Sequence, residues 1–175
     1  GVAAWAVRGF EGDGRGRGQA NVAVAVADMN VFEPEGCFDR MVTVEMLEHI
    51  RNYRALFARI ARWLVPEGRL FVHIFRHMRF PYTFETEGAG NWMGRHFFTG
   101  GLMPSTDTLL RFQQEVVLEE QWLLDGTHDE CTANHWLANH DANRDGVMTA
   151  WAEAYGECDA PLWHKGVRMF WGGVG

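Results

Sequence analysis

Apolar positions along this chain follow two rhythms, one of period two and one near 3.6. From Asn21 the run NVAVAVAD alternates valine with alanine and ends on Asp28, which predicts a short buried strand. A turn follows over 30–36, holding Pro34 and Gly36. FDRMVTVE, residues 38–45, predicts a second strand that ends on an acid. From Met46 to Leu64 the spacing becomes helical, with Leu47, Ile50, Leu56, Phe57, Ile60, Ala61 and Leu64 on one stripe. Pro66-Glu67-Gly68 is expected to stop that helix, and RLFVHIF, residues 69–75, predicts a third strand. Strand, helix and strand at this spacing form a βαβ unit and imply a parallel sheet. The expected fold class is therefore α/β, a Rossmann-like parallel sheet with flanking helices. All three strands are expected to run parallel, with Asp28, Glu45 and Glu48 at one edge.

Beyond residue 78 the rhythm breaks. The stretch FPYTFETEGAGNWMGRHFFTGGLMPS, residues 80–105, is rich in glycine and aromatics and fits neither period. A loop of that length in a compact domain is usually functional, so residues 78–106 are read as a substrate-side insertion in a domain spanning 21–175. A short helix is expected over 107–112, a strand over 116–124, and helices over 132–140 and 147–155. Residues 1–20 are read as a flexible glycine-rich segment. EGDGRGRG, residues 11–18, has glycine at every second position, yet no helical pattern follows it, as a phosphate-binding loop would require.

Composition narrows the function classes. With 47% hydrophobic residues in 175, the chain can bury a sizeable core. Its net charge of −7, with no basic block, argues against a nucleic-acid partner. No apolar run approaches the roughly 20 residues of a membrane span. Three cysteines without a CxxC pair and no leader pattern at the start lead us to expect a reducing, cytoplasmic setting.

Ligands of open parallel sheets bind at the carboxyl ends of strands, and that is where the polar residues of this chain collect. Asp28 ends the first strand, Glu45, Glu48 and His49 follow the second, and His73 lies inside the third. Each alone has an ordinary explanation: a helix cap for Asp28, a solvated helix surface for Glu48 and His49, a core histidine for His73. Their convergence on one edge favours a site.

These residues also carry a resemblance. ADMNVFEPEGCFDRMVTVEMLEHIRNYRALFARIARWLVPEGRLFVHIFRH resembles the later half of a class I S-adenosylmethionine-dependent methyltransferase, and more narrowly the cyclopropane-fatty-acyl-phospholipid synthase superfamily. NWMGRHFFTGGLMPS, followed by GTH and TANHWL, is more similar to its coclaurine N-methyltransferase-like branch. The likeness runs from about Asn21 to Asp141. It implies S-adenosylmethionine as cofactor, with Asp28 and Met29 lining its adenine pocket. It implies a catalytic Glu48-His49 pair, with Glu45 helping to hold a cationic substrate, a small amine. In the lipid branch, Glu48 and His73 would instead hold a bicarbonate base acting on an unsaturated acyl chain. Trp92, Phe97 and Phe98 are candidates for packing against a substrate ring or an onium charge. The family's glycine-rich cofactor loop should precede Asn21, and nothing like it occurs there. Asp129 stands where the family has a tyrosine. The chain is thus expected to be a methyltransferase domain incomplete at both ends. The alternatives are a cyclopropane synthase and a non-catalytic fragment.

Other signals carry less. DANRDG, residues 141–146, matches the first half of an EF-hand loop, but the twelfth position is Ala152. His135 and His140 are five apart, no histidine spacing matches a known ligand set, and no metal is expected. Ser105 and the cysteines lack the signatures of covalent nucleophiles.

Overall fold

The computed structural model describes residues 3–8, 23–88 and 90–174. The chain divides into two compact units, Gly1–Glu119 and Glu120–Gly175.

The first unit is built on a parallel β-α-β crossover. Strand β1 (Ala3–Arg8) pairs with β2 (Ala23–Asp28), and β3 (Phe38–Val44) pairs with β4 (Leu64–His73) across helix α1 (Tyr53–Trp63). The β3–β4 pairing is parallel, Arg40 opposite Arg69 through Val44 opposite His73, as the alternating pattern predicted. The β1–β2 pairing is antiparallel, Ala3 opposite Asp28 and Arg8 opposite Ala23. The expectation of three mutually parallel strands sharing one edge is corrected at β2, which among the described residues pairs only with β1 and not with the β3–β4 sheet, so Asp28 does not end the same sheet as Glu45. A parallel neighbour needs a crossover, usually helical, and the glycine-rich connection from β1 to β2 has no helical pattern. Within the 1–20 segment read as flexible, Ala3–Arg8 form a strand, and residues 1–2 and 9–20 lie outside the described residues.

The single helix expected over 46–64 is two elements, a 3₁₀ turn at Leu47–His49 and α1. Asn52 makes the break. Its side chain accepts a hydrogen bond from the Ala55 N–H at 3.1 Å and caps α1, so the helix starts afresh at Tyr53. The Tyr53 hydroxyl donates back to the Leu47 carbonyl at 3.0 Å and locks the 3₁₀ turn beneath the helix. Tyr53, Leu56, Phe57, Ile60 and Trp63 recur at helical spacing and, with Leu47, form the buried core. Burial of each such side chain contributes roughly 1.5–3 kcal/mol. Met41, Leu70 and Val72 from β3 and β4 pack on that cluster. The alternate positions Val42, Val44 and Phe71 are exposed.

Residues 78–106 hold more order than their sequence rhythm suggested. A two-residue antiparallel pair, β5 (Tyr82–Thr83) and β6 (Leu102–Met103), encloses a short helix α2 (Trp92–His96). The helix expected over 107–112 is a 3₁₀ turn at Leu109–Arg111, preceded by hydrogen bonds from Ser105 to Asp107 and Thr108. The strand expected over 116–124 does not form. Val117, Leu118 and Trp122 are exposed there, and no ladder joins the segment among the described residues, because an apolar pattern becomes a strand only beside a partner.

The second unit is helical: α3 (Thr127–Ala142), α4 (Arg144–Tyr155) and α5 (Ala160–Val174). Helix α5 was not anticipated, although Pro161 in its first turn is a start signal. Trp136 meets Trp171 and His140 meets His164, so α3 and α5 run antiparallel. Tyr155 and Trp151 of α4 stack on Trp163 of α5. DANRDG falls at the end of α3 and the start of α4, so its acids sit on helices rather than on a looped cation cradle.

Candidate active site

The site lies where β3 and β4 end. Glu45 follows β3 directly, and its φ of 51° puts a non-glycine residue in the left-handed region. Backbone strain of this kind persists where the surroundings enforce it. Here the Glu45 N–H donates to the His73 carbonyl at 3.1 Å, and the Glu45 carboxylate is 2.7 Å from His73 Nδ1. The backbone kink turns the chain from strand to 3₁₀ turn and delivers Glu48 into the interior.

Glu48 is 0% exposed. Its Oε1 accepts the Phe75 N–H at 3.1 Å, beyond the end of β4. Its Oε2 is buried with no hydrogen-bond partner. Burial, reinforced by the neighbouring Glu45 charge, pushes the Glu48 carboxyl up to about 7. His49 beside it moves the other way, as desolvation holds its imidazole below the usual histidine value and favours the neutral ring. The Tyr53 phenol is likewise pushed up by burial, with the Glu48 charge adding to it, and serves as a neutral donor.

Aromatic rings wall this carboxyl–imidazole pair. Phe98 stacks on His49 at 5.4 Å, on Phe84 at 4.6 Å, and meets Phe75 edge-on at 5.6 Å. The insertion is fastened to the site by backbone contacts. Arg51 Nε donates to the Gly101 carbonyl at 3.2 Å, and a Cβ on Gly101 would collide with the Glu48 carbonyl oxygen. Only glycine permits that approach.

The structure thus brings Glu45, Glu48, His49 and His73 together. It pairs His73 with Glu45, while Glu48 is held by the Phe75 backbone. Trp92 packs against His96 and Phe97 on and just beyond α2. Asp28 makes a local turn, its Oδ1 accepting both the backbone and side-chain N–H of Asn30 at 2.8 Å, which keeps its carboxyl below the ordinary aspartate value. Met29 is half-buried and packs on the core cluster. Sequence reasoning missed Phe75, Phe84, Arg51 and Gly101. The Gly100-Gly101 doublet was the one signal available for the last of these.

A parallel β-α-β edge thus carries a buried carboxyl beside an imidazole whose charging is disfavoured by burial. The chain belongs to the mycolic acid cyclopropane synthetase family, whose model matches residues 14–159, further in both directions than the resemblance over 21–141. It is similar to (S)-coclaurine N-methyltransferase of Papaver somniferum, 36% identical over 119 residues, 67% of this chain and 34% of that protein. A second relative is (S)-coclaurine N-methyltransferase of Thalictrum flavum subsp. glaucum, 33% identical over 75% of this chain and 37% of that protein. The fold matches the crystal structure of coclaurine N-methyltransferase bound to N-methylheliamine and SAH, with a TM-score of 0.80 and 30% identity, over 89% of this chain and 48% of that one. This chain therefore spans about a third of the length of these curated relatives. The Rossmann-like methyltransferase fold class is that of the matched structure. No helix among the described residues is long and apolar enough to cross a membrane.

Proposed function

We propose that this chain forms the substrate-facing part of an S-adenosylmethionine-dependent methyltransferase that methylates a small amine on nitrogen. The observation that carries the reading is the buried, unpartnered Oε2 of Glu48 beside an imidazole that burial keeps neutral. S-adenosylmethionine, when bound, supplies the methyl group as a sulfonium electrophile. Asp28, held ionised at the end of β2, and Met29 would hold its adenine end.

The remaining chemistry belongs to this chain's own side chains. An amine arrives largely protonated at neutral pH and must present a lone pair. A carboxyl raised to about 7 attracts the ammonium when ionised and takes its proton at a smaller penalty than an ordinary carboxylate would. His49 offers a second neutral acceptor one residue on. Phe98 stacks on the His49 ring and covers one face of that acceptor. Glu45, less buried and paired with His73, adds negative charge at the rim. Residues 78–106 act as the substrate-side insertion of the 21–175 domain, with Trp92 and Phe97 as further substrate contacts, a role supported by the fastening of Gly101 to the site. His73 is proposed to hold Glu45 in place. A reducing, cytoplasmic setting is supported by three exposed free thiols, Cys37, Cys131 and Cys158.

Methyl transfer from labelled S-adenosylmethionine to a panel of secondary amines, and separately to unsaturated phospholipid, tests the reading. Glu48→Gln and His49→Ala should each lower amine turnover by roughly 10²–10⁴-fold. The double variant should lose far less than the product, since the two act as a unit. If Glu48→Gln leaves amine methylation intact and abolishes lipid modification, the cyclopropane synthase reading replaces this one.

A further inference from the structure

We infer that the second unit carries a divalent transition-metal site, with His140, Asp141 and His164 as ligands and zinc as the fitting ion. The three residues come from two helices, which is why no spacing along the chain announced them and none was expected from the sequence. One ligand atom from each lies within 4.8 Å of the others. His140 and Asp141 close the last turn of α3, and His164 faces them from α5. The two imidazoles stack at 4.6 Å between centroids and 14° between planes.

The second, independent observation is the state of the ring nitrogens. Both histidines are more than nine-tenths buried, the His140 side chain and His164 each at 9% exposure. Both nitrogens of His140 and Nδ1 of His164 are buried with no hydrogen-bond partner. The Asp141 carboxylate lies 3.7 Å from His140 Nδ1, an ion-pair distance too long for a good hydrogen bond. Three orphaned nitrogens in one small space run against the general rule that buried polar groups are paired. Two leucines would fill the same space without that cost. A metal ion resolves it, because it takes the lone pairs that no donor reaches.

The donor set selects the ion. Two imidazoles and one carboxylate suit zinc, iron, nickel or copper, and not magnesium or calcium, which want oxygen alone. Tetrahedral zinc at about 2.0–2.1 Å from each nitrogen sets ligand atoms about 3.4 Å apart. The ligand atoms must draw together from their present spacing, which requires the stacked rings to turn out of their near-parallel alignment. Both ligands must be neutral imidazole to bind, so binding should weaken as pH falls. Arg168 grips the Asp141 carboxylate through Nε at 2.7 Å and Nη2 at 2.9 Å, so it orients this ligand from outside. The fourth position is left for water.

Titration of the metal-free full chain with Co²⁺, followed by the visible absorption of low-coordinate cobalt and then by displacement with Zn²⁺, tests the site. One equivalent of Co²⁺ should bind saturably, and Zn²⁺ should displace it with Kd of about 1 μM or tighter. His164→Leu and His140→Leu each remove a buried unpaired group and so keep the helices, checked by circular dichroism. Each should weaken binding by more than the roughly 10–100-fold that loss of an outer partner costs. His135→Ala, an exposed histidine on the same helix, should bind like the parent. Absence of saturable binding, or undiminished binding in His164→Leu, overturns the inference.

Discussion

Replacing Glu48 by glutamine isolates the energetic cost of the proposed catalytic carboxyl. The side chain is fully buried and its pKa is raised from 4.5 to about 7, mainly by desolvation. A raised acid means that the folded chain holds the proton more tightly than the unfolded chain does. The stability this confers is complete below about pH 4.5 and is lost as pH rises through 7. At roughly 1.4 kcal/mol per tenfold, the gap from 4.5 to about 7 corresponds to about 3 kcal/mol lost by pH 8.5. Glutamine keeps a carbonyl acceptor for the Phe75 N–H and never ionises. The variant should therefore match the parent or fall slightly below it at pH 4.5, and exceed it by about 3 kcal/mol at pH 8.5.

Urea unfolding at a series of pH values between these limits measures the difference directly. The difference matters, because other groups slope the individual curves. His164 has a lowered pKa, so its contribution is present above about 6.5 and lost as pH falls, opposite in sign to Glu48. That term is common to both proteins and cancels. A difference that is independent of pH, or a parent more stable than the variant at pH 8.5, refutes the reasoning. The same substitution is expected to cost catalysis, so a gain in stability with a loss of turnover would mark Glu48 as a group held against its own preference.

Other expectations follow from the same contacts. Asn52→Ala removes the cap of α1 and should cost about 1 kcal/mol in denaturant unfolding. Gly101→Ala drives a methyl group into the Glu48 carbonyl, so it should destabilise the chain by roughly 1–3 kcal/mol and displace the insertion, read as loss of protection of the Arg51–Gly101 region in hydrogen exchange. Titration calorimetry with S-adenosylmethionine should give a Kd weaker than about 1 μM, about 8 kcal/mol, since the glycine-rich stretch joins antiparallel strands and no strand-to-helix phosphate loop stands in this sequence.

The parallel core was legible because it obeys local rules. Period-two runs flanking a helical stripe leave few arrangements open, and β3 and β4 pair in parallel across α1 as expected, although α1 starts only at the Asn52 cap and Pro66-Glu67-Gly68 lies inside β4. What the pattern could not convey was pairing. Val116 to Leu124 reads as a strand and lacks one, and β2 turns to β1 because a strand's neighbour is set by what the intervening chain can reach. Helix α5 was not anticipated, although both its amphipathic stripe and Pro161 in its first turn were signals of it.

The site divides along the same line. Glu45, Glu48, His49 and His73 could be gathered from sequence because strand ends converge at one edge of a sheet, a rule of topology rather than of side chains. Their roles could not be apportioned that way. Glu45 and Glu48 are three residues apart and chemically alike, yet one pairs with His73 in partial contact with solvent and the other is buried with one oxygen satisfied. The left-handed backbone at Glu45 makes this division, and nothing in the residue's identity signals it. Phe98 and Gly101 reach the site from fifty residues downstream, and their placement depends on a two-residue strand pair too short to leave a rhythm. The histidines of the second unit extend the argument. Twenty-four positions separate His140 from His164, and only the antiparallel return of α5 onto α3 brings their unpaired nitrogens together.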